Sequence, residues 1–160
     1  CVGVGELRAL GEVEVLSGIV QLAMSHVVPD LVQKILKGQD PLHILGGGDQ
    51  VRHYTYGGDL ARGVVLAMES EAAHNEDFNL STAQGTTVLE LAEAIWRKLK
   101  GPDVPFRYTS DPGYEYDVQK RVPSVQKSKD VLGFEALTTL DELLDEVIPW
   151  IEMAVAEGLI

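Results

Sequence analysis

GGGDQVRHYTYGGD, residues 46–59, is the stretch on which the reading of this chain turns. Three glycines followed by an arginine suit a loop that cradles phosphate. The same glycines suit the tip of a hairpin between LHIL (42–45) and RHYTY (52–56), two short runs rich in β-branched or aromatic residues. Arg52 opens the second run, where its planar fork can grip a diphosphate through two oxygens. Tyr54 stands two residues on, so on a strand its ring shares a face with Arg52. An arginine in that place equally suits a surface ion pair, and the local residues leave both readings open.

Composition narrows the field around this stretch. The 160 residues suffice for one domain with its own core, and 45% are hydrophobic. No apolar run approaches bilayer length, and no basic segment precedes an apolar one in the manner of a signal peptide. The single cysteine, Cys1, excludes an internal disulfide, which points to a reducing, cytoplasmic setting. Twenty-five acidic against thirteen basic residues give a net charge of −12, a field that repels nucleic acid and anionic lipid. We therefore expect no nucleic-acid or membrane partner, and an anionic small ligand needs a local basic group.

Four histidines (26, 43, 53 and 74) have neither the i, i+4 spacing nor the companion cysteines of a metal site. No G-x-S-x-G elbow is present, and GVGE near the start is a bare G-x-G rather than a dinucleotide fingerprint.

Along the chain, residues 1–24 read as loop with one short strand. Ser25 predicts the N-cap of a helix through Lys37, followed by Gly38 as a stop. Asp59 predicts the cap of LARGVVLAMES, with a stripe of Leu60, Val64, Ala67 and Met68. DFNLS (77–81) reads as a strand. TVLELAEAIWRKLKG follows with a Thr87/Glu90 capping box, then the strand VPFRYTS and a helix from Ser124 to Gly133. The last helix repeats the capping box with Thr139 and Glu142, and Pro149 inside it predicts a kink or a split. The expectation is a mixed α/β chain with four or five helices and four short strands. PGYEYDVQKRVPS (112–124) reads as a binding loop in which Asp117 accepts from sugar hydroxyls or is simply solvated.

The order of three segments goes further. SHVVPDLVQKILKGQDPLHILGGGDQVRHYTYGGDLARGVVLAMES, then FNLST with TTVLELAEAI, then DVQKRVPSVQKSKDVLGFEALTTLDELL together resemble the C-terminal half of the NAD-dependent epimerase/dehydratases. These are extended short-chain dehydrogenase/reductases acting on nucleotide sugars. The resemblance implies an α/β substrate-binding part, with residues about 59–82 as the last helix and strand of the nucleotide-binding sheet. It implies that residues 1–160 are one fragment whose parent uses NAD. The family's glycine-rich cofactor loop does not occur here, so no NAD binding or turnover is expected of this chain alone.

By the same resemblance the substrate contacts are His26 and Val27 beside nucleotide or sugar, and Leu45 in place of an aromatic residue near the base. Arg52 falls on the diphosphate ligand, Tyr54 on its neighbour, Val88 on an apolar wall of the base pocket and Asp117 on the acid that binds ribose. The glycines become a hairpin tip. Tyr114 stands where a second arginine is usual, RHY replaces RD plus an aromatic residue, GGD replaces VDD, and Ser124 replaces a common aspartate. The resemblance further implies a homo-oligomer, and the bare stripe on the helix after Asp59 implies non-native association of the fragment. The competing readings are a non-catalytic binding or assembly module, and a reductase on a non-nucleotide substrate.

Overall fold

A computed structural model describes residues 26–113 and 115–160. The N-terminal stretch, including Cys1 and the proposed cap Ser25, lies outside the described residues, as does Tyr114. The first described element is helix α1, Val27–Leu36. Its N-cap is His26 rather than Ser25, and the His26 side chain makes no capping bond. Strand β1 (Leu42–Leu45), strand β2 (Val51–Arg52) and helix α2 (Gly57–Glu69) follow. Then come strand β3 (Thr86–Thr87), helix α3 (Val88–Lys100), strand β4 (Tyr108–Asp111), helix α4 (Gln126–Leu132) and helix α5 (Leu140–Ala156). The mixed α/β class expected from the sequence is what the structure has.

The core lies where α1 packs on α3 and α5. Leu31, Val32 and Ile35 of α1 meet Leu91, Ala92, Ile95 and Trp96 of α3 and Leu144, Ile148 and Ile151 of α5. β1 contributes Leu42 and Ile44 to the same core. Both long helices begin as the sequence indicates. Thr87 and Thr139 each accept from the backbone of the glutamate three residues on, and that glutamate accepts in return. Pro149 does not split α5, which runs unbroken across it. The apolar face holding Leu143, Leu144, Ile148, Ile151 and Ala154 is buried, and that packing outlasts the one missing backbone donor.

The strands depart most from expectation. β1 and β2 are not a hairpin. β1 pairs in parallel with β4, Leu42 facing Tyr108 and Leu45 facing Asp111. β2 pairs antiparallel with β3, Val51 facing Thr87 and Arg52 facing Thr86. The glycine segment is therefore a passage between two small sheets. A hairpin needs its flanks to bond each other, and here each flank has a distant partner instead. Of RHYTY only Arg52 is strand. His53 and Thr55 are held by side-chain bonds, His53 Nδ1 to the Thr82 carbonyl at 2.9 Å and Thr55 Oγ1 to Ser81 Oγ at 3.1 Å. DFNLS likewise forms no ladder among the described residues.

Helix α2 starts two residues before Asp59, at Gly57, so Asp59 sits in the first turn rather than at the cap. Its buried carboxylate accepts from the Thr138 backbone at 2.9 Å and from Arg62 at 3.0 Å. Burial alone pushes its pKa up, and these bonds outweigh burial to hold it below the ordinary value. Arg62 also lies over the Phe134 ring at 5.1 Å and donates to the Glu135 carbonyl. Gly63 is where α2 comes closest to its neighbours. A Cβ there would meet Phe134 Cε2 at 2.8 Å and Leu80 Cδ2 at 3.1 Å.

Gly63→Ala should therefore destabilise the chain by about 1–3 kcal/mol through overpacking, although alanine is the better helix former. Gly57→Ala meets nothing within 4 Å and should be neutral or stabilising. Urea denaturation of the two variants side by side checks the contrast.

Candidate functional site

The strongest gathering of expected site residues lies at the seam between the two sheets. Arg52 Nη2 donates to Asp117 Oδ1 at 3.3 Å, across 65 residues of chain. The side chains are 25% and 24% exposed, so the pair is half-sunk yet reachable. Arg52 Nη1 bonds the Val51 carbonyl at 2.9 Å, and these bonds use two of the guanidinium's five donors. Asp117 is carried to Arg52 by the chain just beyond it. Val51 N–H donates to the Gln119 carbonyl at 2.8 Å, and Arg121 N–H donates back to the Val51 carbonyl at 3.3 Å. Residues 119–121 thus run alongside β2, with Val51 bridged in parallel to Lys120. Lys120 and Arg121 bring positive charge to this seam in an otherwise acidic chain.

Gln50 ties the seam together and was not singled out from the sequence. It is 7% exposed. Its Nε2 donates to Asp117 Oδ2 at 3.0 Å and, at 3.4 Å, to the Leu45 carbonyl. Its backbone carbonyl accepts from Val88 N–H at 3.1 Å. Leu45, Val88 and Asp117 therefore all touch one residue, and Arg52 joins through Asp117. Its position two residues before Arg52 is visible in the sequence, but its burial, which marks it out, is not.

The other expected residues stand apart in kind. Tyr54 packs against the core with its hydroxyl buried and without a partner among the described residues. Burial pushes its phenol up to about 12, the nearby Arg52 charge pulling the other way, so it stays neutral. His26 is exposed at the start of α1, and Val27 packs against the core. No hydrogen bond joins either of them to the Arg52 group among the described residues. His53, which stands in place of an acid, donates from Nδ1 to the Thr82 carbonyl and leaves Nε2 buried and unpartnered.

The glycines are not a phosphate cradle. Such a cradle turns backbone N–H groups toward the ligand. Here Gly46 N–H is spent on the Asp111 carbonyl at 2.9 Å. The carbonyls of Gly48 and Gln50 accept from Leu89 and Val88, so the passage closes the N-terminus of α3 and consumes its donors. Gly46 has another duty. Its φ is +71°, and a Cβ on it would lie 2.8 Å from Gln50 Nε2.

Residues 17–81 match the model of the NAD dependent epimerase/dehydratase family. UDP-glucuronic acid decarboxylase 2 of Arabidopsis thaliana is 34% identical over 115 residues, 71% of this chain and 24% of that protein. The UDP-glucose 4-epimerase of Thermotoga maritima, solved with UDP-glucose, superposes with a TM-score of 0.69 at 31% identity over 81% of this chain. The chain belongs to the NAD-dependent epimerase/dehydratase family. A UDP-glucuronic acid 4-epimerase from Bacillus cereus, solved with UDP-glucuronic acid and NAD, shares the fold with a TM-score of 0.72 at 21% identity. The chain spans 24% of the length of the plant decarboxylase and 40% of each of these two solved epimerase chains. No helix among the described residues is long and apolar enough to cross a membrane.

Gly46→Ala should cost about 1–2 kcal/mol from the left-handed backbone alone and should also push the Gln50 amide off Asp117. Gly47→Ala, where the backbone is not left-handed and the nearest atom is the movable Asp49 carboxylate at 3.0 Å, should be tolerated. Thermal melts of both variants distinguish a passage built around Gln50 from a generic glycine loop.

Proposed function

We propose that this chain supplies the nucleotide-diphosphate seat of an NAD-dependent enzyme acting on UDP-linked sugars. In this reading Arg52 holds the diphosphate and Asp117 accepts from ribose hydroxyls. Val88 and Leu45 flank the base, Tyr54 lines the same cleft, and His26 and Val27 lie toward nucleotide or sugar. The observation that carries the reading is the Arg52–Asp117 pair, two residues far apart in sequence brought together in a half-sunk, reachable place. The names of the relatives supply the UDP sugar.

The pair also indicates how a ligand enters. A single-pronged contact at 3.3 Å between partly exposed groups is worth at most about 1 kcal/mol. A diphosphate offering two oxygens to the same fork outcompetes it, and the carboxylate it frees from Arg52 is left to accept from the ribose. Lys120 and Arg121 add attraction for the anion against the net charge of the chain.

NAD, when bound, supplies hydride chemistry in this family. The described residues do not fit it, because the one glycine-rich passage presents carbonyls to a helix rather than amides to a pyrophosphate. No step of hydride transfer is assigned to them. We assign residues about 59–82 to the nucleotide-binding sheet of the parent enzyme. Supporting this, α2 leaves Leu60 43%, Val64 44% and Met68 81% exposed beside a shallow groove lined by Phe78 and Leu80.

Arg52→Ala should weaken UDP-glucose binding by roughly ten- to a hundredfold, since a charge-assisted bond to phosphate contributes about 1.5–3 kcal/mol. Arg52→Lys should recover only part of the loss. Calorimetry with UDP-glucose checks both, and unchanged affinity in the alanine variant rejects the seat in favour of a non-nucleotide ligand or a binding module. Light scattering over a dilution series should show self-association of the isolated chain through the α2 face. A compact monomer at high micromolar concentration with no dye-binding face rejects the assignment of that face to a sheet.

A further inference from the structure

We propose that Gln50 is a positioning residue for nucleotide binding, holding the Asp117 carboxylate in register for the ribose. The inference rests on the nucleotide-binding reading and deepens it.

The orientation of the Gln50 amide carries the argument. Nε2 faces two acceptors, Asp117 Oδ2 at 3.0 Å and the Leu45 carbonyl at 3.4 Å. Oε1 is buried with no donor among the described residues. Turning the amide over would set its oxygen against both acceptors, so that alternative is worse. An unpartnered buried acceptor is unfavourable, and a site that retains one is using the other end of the amide. That end leaves Asp117 Oδ1 as the oxygen facing Arg52.

The surroundings are shaped to the same purpose. Gly46 leaves the space that Nε2 occupies, since a side chain there would begin 2.8 Å from it. The Gln50 carbonyl is fastened to Val88 at the start of α3, which stops the residue from sliding along the seam. Asp117 itself sits in a stretch without regular secondary structure, between Tyr116 and the bridged Lys120. Apart from Arg52, which the ligand is to take, the Gln50 amide is the one side-chain donor to its carboxylate among the described residues. When Arg52 turns to the diphosphate, Gln50 is what keeps Asp117 from following it.

A double-mutant cycle on the 160-residue chain tests this, with UDP as the probe and calorimetry as the readout. Gln50→Met keeps length and approximate volume while removing the donor. It should lower UDP affinity about tenfold in the native background and have no further effect in Asp117→Ala. Equal losses in both backgrounds would show a merely structural role and overturn the inference, leaving the nucleotide seat standing.

If the native chain does not bind UDP, the nucleotide reading itself fails. The positioning is then decided without ligand, by NMR exchange of the Gln50 side-chain amide. Slow exchange that becomes fast in Asp117→Ala supports the Gln50–Asp117 hold, and fast exchange in the native chain overturns it. Exchange is read in the native chain and in Asp117→Ala, so a Gln50→Met chain that fails to fold does not remove the test.

Discussion

The seam depends on two backbone bonds, Val88 N–H to the Gln50 carbonyl and Leu89 N–H to the Gly48 carbonyl. A helix start carries donors that its own turns cannot satisfy. In α3 part of that need is met by the glycine passage, and the Thr87/Glu90 box meets another part. The passage is thereby pinned to a helix whose Leu91, Ala92, Ile95 and Trp96 lie in the core. Everything downstream inherits the position: Val51 lies between Thr87 and residues 119–121, and Arg52 lies where Asp117 arrives. A local need of one helix thus sets the place of a charge pair.

What the sequence made legible follows from range. α3 and α5 were readable because a capping box, an apolar face and a stop all lie within one short window, and Gly133 ended α4 in the left-handed conformation for the same reason. β1 was readable by composition. Its partner was not, because β4 lies beyond two other helices and nothing local prefers it to β2. The hairpin was the cheapest local explanation of three glycines, and long-range pairing overrode it. The start of α2 was missed because two glycines at 57 and 58 do not look helical, although Asp59 in the first turn favours the helix dipole.

The site divides along the same line. Local residues alone left Arg52 between a phosphate ligand and a surface ion pair. Its meeting with Asp117 came from the order of distant segments, and the structure brings the two together. Gln50 escaped because a glutamine beside a turn is ordinarily solvated; only burial gives it meaning. His53 shows the reverse. A carboxylate at its place would repel the Thr82 carbonyl, whereas the imidazole Nδ1–H donates to it, so a histidine suits this backbone.

Asp59 has a consequence for how the molecule opens. Its buried carboxylate accepts from the amide immediately before the cap of α5, so the two helix starts share one charged anchor. Fraying of α5 from its first turn would strand that carboxylate away from its backbone donor, and unwinding α2 would drag it out of the same contact. Neither end can breathe alone without leaving a desolvated charge short of a partner. The two helices, separated by the whole seam in sequence, are thereby joined into one cooperative unit of local unfolding. That unit reaches from the exposed face of α2 to the buried face of α5.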